Sequence, residues 1–388
     1  MSSDVRGDRP IALGVAFGFA LSLGIATVAI PLVALGAGYQ PAAIGFLAAT
    51  AALAQLATRL TLPWLLGRFP DRALIGLSAL LMLSAFGLLL ASTALPVFLA
   101  AQLCSGCARA IFWTSSQTHA IRSGGSQVRR LVDLNLAGNA GTLTGPALAG
   151  VLATFGLPVA LAGAAIPAAL AALASPLIAA YPPYDRRRSA GTFRLLRRDG
   201  VDVACWANFV AGTWWSMIGS YVPVVLVGAG LGTVLIGWLV TLSEGAGALT
   251  LLAIRRASPM RIRPLVRAGA FAEMAALAAI ALAPPALLAY AAVLIAGGIA
   301  AGTVTTLAPA LVTSVAEDHE HGDALALSGT FRSFALLGAP ASVGALLSFA
   351  ALPVALVAVA VTAAIPGALL GRARGPREAP SPAGSGTG

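Results

Sequence analysis

Lysine is absent from this sequence, and charge of either sign is scarce. All 24 basic residues are arginine, 14 residues are acidic, and 10% of the chain is charged against 58% hydrophobic. A soluble globular domain carries roughly 25% charged residues. A larger core cannot absorb that deficit, because a soluble surface of this size still needs ionic groups. Lipid must cover much of the chain. Without lysine there is no Walker loop, whose lysine cradles phosphate, so ATP-driven pumping by this chain alone is excluded. Cysteine is sparse as well. Cys104, Cys107 and Cys205 lie in or beside apolar runs with no zinc spacing to further cysteine or histidine, and read as small packing residues. His119, His319 and His321 have no ligand set, and no metal site is expected. No cluster of His, Asp, Ser or Cys shares a depth, so an enzyme is not expected either.

What is present is a series of apolar runs. Six fall at about 11–36, 42–66, 73–93, 95–120, 131–155 and 157–180. Six more fall at about 203–228, 231–254, 266–283, 286–313, 324–349 and 351–371. Each can cross a hydrocarbon layer of ~30 Å at 1.5 Å per residue. The first is longer than a signal-peptide core and reads as an uncleaved first span. The division at Pro284-Pro285 is the least sharply marked.

Loop charge supports the same count. Alternate joints, near 37–40, 92–93, 155–156, 228–230, 284–285 and 349–350, are uncharged. The others hold Arg68 and Arg72; Arg122, Arg129 and Arg130; Arg186, Arg187, Arg188, Arg194, Arg197 and Arg198; and Arg255, Arg256, Arg261, Arg263 and Arg267. By the positive-inside rule both termini are cytoplasmic, and one span more or fewer would scatter the arginines. The net charge of +10 therefore reflects topology, with no nucleic-acid partner expected. The acidic joint at 317–323 carries little topogenic weight.

The expected organisation is a cytoplasmic arm (1–10), a six-helix bundle (11–180), a cytoplasmic linker (181–202), a second bundle (203–371) and a disordered cytoplasmic tail (372–388). Gly145-Pro146 with Gly150 has a counterpart in Ala339-Pro340 with Gly344, and Gly106 with Ala110 in Gly298 with Gly302. Displacements of half the chain suggest a duplicated six-helix unit.

Two stretches are distinctive. Gly67-Arg68-Phe69-Pro70-Asp71-Arg72 joins the second and third spans through a tight turn, an acid and a base. Gly138, Gly141, Gly145-Pro146 and Gly150 make the fifth span a surface for close helix approach, loosened by proline. The first resembles the signature loop of the major facilitator superfamily. The second resembles the fifth-helix signature of its antiporters, and the chain as a whole is similar to twelve-helix bacterial efflux members. That resemblance implies an all-α membrane protein whose twelve transmembrane helices form two six-helix bundles with a pseudo-two-fold relation. It implies a monomer in the bacterial inner membrane exporting a small amphipathic molecule, with a proton gradient as energy source and no cofactor. The Arg-rich, Ala- and Gly-rich composition also looks like the product of a GC-rich bacterial genome. Uptake or facilitated diffusion is the alternative, followed by a non-transporting sensor. Gln102 stands where this family commonly has arginine in helix 4.

Ionisable residues inside apolar runs are functional candidates because they are costly there. Arg109 shares a stripe with Gln102, Gly106, Trp113 and Ser116; it can attract an anionic substrate or pair with a coupling carboxylate, or form a static interhelical pair. Glu244 can take up and release a proton as access alternates, with Arg109 as its expected counterpart. Glu273 is shallower and reads either as a coupling group or as the partner of a loop arginine. Trp238, Trp214 and Trp215 are candidate cavity residues, only one of the adjacent pair being able to face it. Asn139 and Asn208 either line the cavity or bond helices together. The family resemblance places Asp71 against the start of the eleventh helix, where Arg332 can pair with it as a cytoplasmic gate joined by Asp133. Gly67, Arg72, Gly145, Pro146 and Gly150 complete the expected switch.

Overall fold

The computed structural model describes residues 4–123, 126–183, 192–198, 200–254, 261–317 and 320–370. Arg186, Arg187, Arg188, Arg255, Arg256, His319 and the tail from 372 lie outside the described residues. Thirteen α-helices follow: α1 (Asp4–Gly36), α2 (Pro41–Arg68), α3 (Asp71–Ala91), α4 (Leu95–Arg122), α5 (Gln127–Leu152), α6 (Leu157–Ala174), α7 (Val201–Ile218), α8 (Tyr221–Gly228), α9 (Thr233–Ile254), α10 (Ile262–Leu282), α11 (Leu287–Val315), α12 (His321–Leu346) and α13 (Leu352–Leu370). Proline at the first or second position opens α2, α4 and α6, where its missing N–H has no helical acceptor to lose.

Nine of the described helices are long and apolar enough to cross a membrane, and α7 with α8 forms a tenth path bent by 45°. The bend has a local cause: Pro223 has no N–H to bond Gly219, and the Ser220 hydroxyl bonds the Ser216 carbonyl at 2.5 Å instead. The remaining two, α5 and α12, are 26 residues each but diluted by polar groups such as Asp133, Asn139 and Arg332. They complete twelve spans. The division at Pro284-Pro285 is real, since α10 ends at Leu282 and α11 starts at Leu287. Several expected limits shift by three residues or more: α1 reaches back to Asp4, α5 begins at Gln127 rather than 131, α6 ends at Ala174 rather than 180, α10 begins at Ile262 rather than 266, and α12 at His321 rather than 324.

The packing repeats after six spans. In the first half α1 packs on α5, α2 on α4 and α3 on α6; in the second, α7 packs on α12, α9 on α11 and α10 on α13. The halves meet mainly through two contacts, α2 with α12 and α5 with α9. Close approach requires glycine at both levels. A side chain at Gly145 would lie 2.5 Å from Gly24 of α1, and one at Gly150 would lie 2.5 Å from the Thr233 carbonyl of α9.

These cross-half contacts cluster at the end of the bundle opposite the chain termini. Gly45 lies under the Pro340 carbonyl, Gly344 lies by Ala42, and Thr233 donates to the Gly150 carbonyl at 3.1 Å. The same stripe of α5 continues toward the terminal end as Asn139 and Leu136, and both are exposed. On the α5–α9 side the halves therefore part below Leu143, toward the end that carries the termini, while on the α2–α12 side they still touch at Arg59 and Ser333.

Candidate functional site

Helix orientation decides which side chains reach that space. On α4, the Gln102 amide donates to the Leu47 carbonyl of α2, while Trp113 packs against Gly138 of α5. At 100° per residue Arg109 shares their stripe, about 20° from Gln102 and about 40° from Trp113. Since α2 and α5 are the helices of the first half that touch the second, Arg109 is turned toward the boundary. Its Nε is buried without a hydrogen-bond partner, and among the described residues no carboxylate lies within salt-bridge range of it.

On α9, Thr233, Gly237 and Thr241 form the stripe that meets α5. Glu244 continues that stripe one turn further, where the halves separate, and it remains partly accessible. Its charged neighbour is Arg332 of α12, not Arg109. Arg332 also acts on Glu273 of α10, which is 0% exposed with neither carboxylate oxygen hydrogen bonded. The expected Arg109–Glu244 pair is thus replaced by an Arg332-centred group. The reason is depth: Arg332 lies eleven residues beyond the His321 start of its helix, three turns inside rather than at the entrance.

A fourth charge comes from across the boundary. Arg59 of α2 donates to the Ser333 hydroxyl of α12 at 2.6 Å, which holds its guanidinium beside Arg332. Arg59 is a residue of this group that the sequence reading passed over. Its signal is that of Arg109, an arginine inside an apolar run.

The expected gate residues are engaged within the first half. Asp71 is fully buried and accepts from Arg122 at 3.2 Å, while Asp133 pairs with Arg9. Neither is Arg332's partner in this open arrangement. Arg122 also donates to the Pro182 carbonyl at 2.6 Å and lies over the Tyr181 ring. Beside it, His119 Nε2 is 3.0 Å from Asp8 Oδ2, and Asp8 Oδ1 accepts from the Ala179 N–H at 2.9 Å. The N-terminal arm is thereby tied to α4, α5 and the chain leaving α6. Gly67 and Arg72 are exposed around this set.

The remaining candidates divide. Trp214 is buried against Gly297 and acts in packing, whereas Trp215 is partly exposed on the stripe of Gly219, which meets Thr27 of α1. The Trp215 indole Nε1 is buried without a partner. Asn208 bonds the Ser328 hydroxyl of α12 at 2.6 Å, joining helices. Trp238 is a correction. It is 51% exposed on the outer flank beside Leu242 and Leu249, because it sits a third of a turn off the α5-facing stripe. Among the described residues no group of three or more His, Cys, Asp or Glu can hold a metal ion.

No curated protein matches the sequence. Solved structures do match the fold. The nucleoside transporter NupG aligns with a TM-score of 0.73 at 12% identity, covering 94% of this chain and 99% of its own. A bacterial homologue of the human lysosomal transporter Spinster, inward-facing and occupied, aligns at 0.75 and 14%, covering 96% and 98%. A POT family transporter in complex with a thioalcohol-conjugated peptide aligns at 0.74 and 10%, covering 94% and 95%. The sequence itself matches the Major Facilitator Superfamily over residues 12–340. A twelve-span chain of two repeated halves, parted at one end around buried charge, belongs to that superfamily of membrane transporters.

Proposed function

We propose that this chain moves a small amphipathic organic molecule across the membrane by alternating access, coupled to protons. The observation that carries the reading is the charge group at the boundary, with Glu244 partly accessible, Glu273 sealed and Arg332 between them. A carboxylate whose water contact and arginine partner change as the halves rock binds protons differently in the two states, which is what coupling requires. The two halves are the rocking units, and the α2–α12 and α5–α9 contacts are the surfaces that separate and rejoin.

Export is the direction implied by the resemblance of Gly145-Pro146 and Gly150 to the antiporter signature. Uptake is a second reading; among the described residues no carboxylate lies within salt-bridge range of Arg109, a cation turned to the boundary, which favours a negatively charged substrate in either direction. The test is flux in inside-out vesicles over a panel of organic acids, neutral compounds and amines, with an imposed pH gradient. Proton-linked accumulation of any member supports the reading. Flux that ignores the pH gradient, alongside an unchanged Glu244→Gln variant, removes proton coupling.

A further inference from the structure

More than two turns from either end of their helices, the described spans hold five Arg, Asp or Glu side chains: Arg59, Arg109, Glu244, Glu273 and Arg332. Four of them form one set of two arginines and two carboxyls. Arg59 and Arg332 stand side by side across the boundary, and Arg332 faces Glu244 and Glu273. Arg109 is left over. An arginine inside a span is costly and persists where something compensates it. Among the described residues its Nε has no hydrogen-bond partner, and no carboxylate lies within salt-bridge range of its guanidinium.

Across the boundary, α7 offers a complementary group. Trp215 lies one turn before Gly219, which meets Thr27 of α1; its side chain is partly exposed, and its buried indole N–H has no acceptor. A cation on one wall and an aromatic ring on the other are the groups that recognise a flat organic anion. Its charge is held by the guanidinium, and its ring is held by stacking on the indole.

We infer that the transported molecule is an aromatic organic anion whose negative group docks on Arg109, with Trp215 facing it from the second half. The inference rests on the proton-coupled transport reading above, names its substrate class and takes uptake over export. It also fixes the sign of the coupling. Protonating Glu244 removes a negative charge from the boundary and leaves Arg332 and Arg59 less compensated, so the cavity then binds an anion more tightly. By reciprocity, anion binding draws a proton from solution. Anion and proton travel together, which under an inward proton gradient means uptake.

Binding to the purified full-length protein tests this with naphthalene-2-carboxylate and indole-3-acetate, each beside its amide and amine analogues. Melting temperature reports binding, and an indicator dye in weakly buffered solution reports proton movement. The acids alone are expected to raise the melting temperature, with affinity about tenfold higher at pH 6 than at pH 8, a coupling within the usual range. Proton uptake accompanies binding. Arg109→Gln abolishes the shift, whereas Arg109→Lys, which keeps the charge, folds and retains a weakened one. Glu244→Gln still binds the acids but takes up no proton. Binding of amides or amines as tight as that of the acids, an acid response that survives Arg109→Gln, or no acid response overturns the inference. Amine flux that exchanges with protons in liposomes would sink the anion while leaving proton-coupled transport standing. Acid flux indifferent to pH would do the reverse.

Discussion

Thr241 of α9 inserts its hydroxyl into the backbone ladder of α5 at Ala147. It accepts from the Ala147 N–H at 3.0 Å and donates to the Leu143 carbonyl at 3.2 Å, two groups that in an undisturbed helix bond each other. Pro146 explains why they are free. Its ring crowds the preceding turn and removes a neighbouring rung, so a side chain can enter. The antiporter-like run thus gives the second half a foothold in the first.

Replacing Thr241 by valine keeps the shape and removes both bonds, and the α5 ladder can partly close on itself. The expected loss for the present arrangement is about 1 kcal/mol, or about fivefold in population. Spin labels at Val132 and Leu249, both exposed at the parted end, should show more of the short distance that marks closure there. An unchanged distance distribution would mean that the foothold does not bias the halves.

Topology follows from the arginine-bearing joints. Reporters fused after residues 38, 93, 156, 229 and 350 are expected outside, and those at 125, 192 and 260 in the cytoplasm. A cytoplasmic signal at any of the first five contradicts the orientation, and the parted end would then not face the cytoplasm.

The span count was legible because it needs only run length and loop charge, and both are local properties. The repeat was visible in Gly145-Pro146 and Ala339-Pro340, since close packing leaves small residues at fixed spacing. Rotation and partnership were not legible. Trp238 and Thr241 are three residues apart, yet one faces the flank and the other enters α5, a distinction set by which neighbour the helix meets. Arg332 was assigned to the entrance because the start of α12 is polar and blurs the boundary. The pairing of Asp8 with His119 joins residues 111 apart, and no periodicity announces it. The partnering of Glu244 with Arg332 instead of Arg109 has the same origin: both arginines lie deep, and only the fold chooses between them.

The Asp71–Arg122 bond separates two roles for Asp71. If its work lies in holding α4 to the head of α3, Asp71→Asn lowers the melting temperature by the equivalent of about 1–3 kcal/mol, since Arg122 keeps its contact with Pro182. The loss should then vanish in an Arg122→Gln background. If Asp71 also meets Arg332 when the terminal end closes, the Asn variant shifts the Val132–Leu249 distances toward the open form even in that background. A lower melting temperature with unaltered distances assigns Asp71 to structure alone.

Glu244 is the proposed coupling carboxylate, and its position makes a sharper demand than its identity. It stands one turn beyond Thr241, where α5 and α9 stop touching, so closure of the terminal end must bring α5 near Asn139 against it. Water contact and the Arg332 field then change together, in the one place where rocking alters both. Glu273 feels the same arginine but is sealed, with no path for proton exchange in this arrangement. Glu244→Gln should therefore abolish gradient-driven flux while leaving exchange of bound substrate intact, with its pH dependence lost. Glu273→Gln should instead be judged by stability: it removes an ionisable group but exchanges one unpaired buried oxygen for an unpaired buried NH2, so the melting temperature moves little and flux persists. Proteoliposomes with an imposed pH gradient separate the two variants. Full gradient-driven flux from Glu244→Gln, together with its loss in Glu273→Gln, would transfer the coupling role to the sealed carboxylate and require the second half to open around α10 during the cycle.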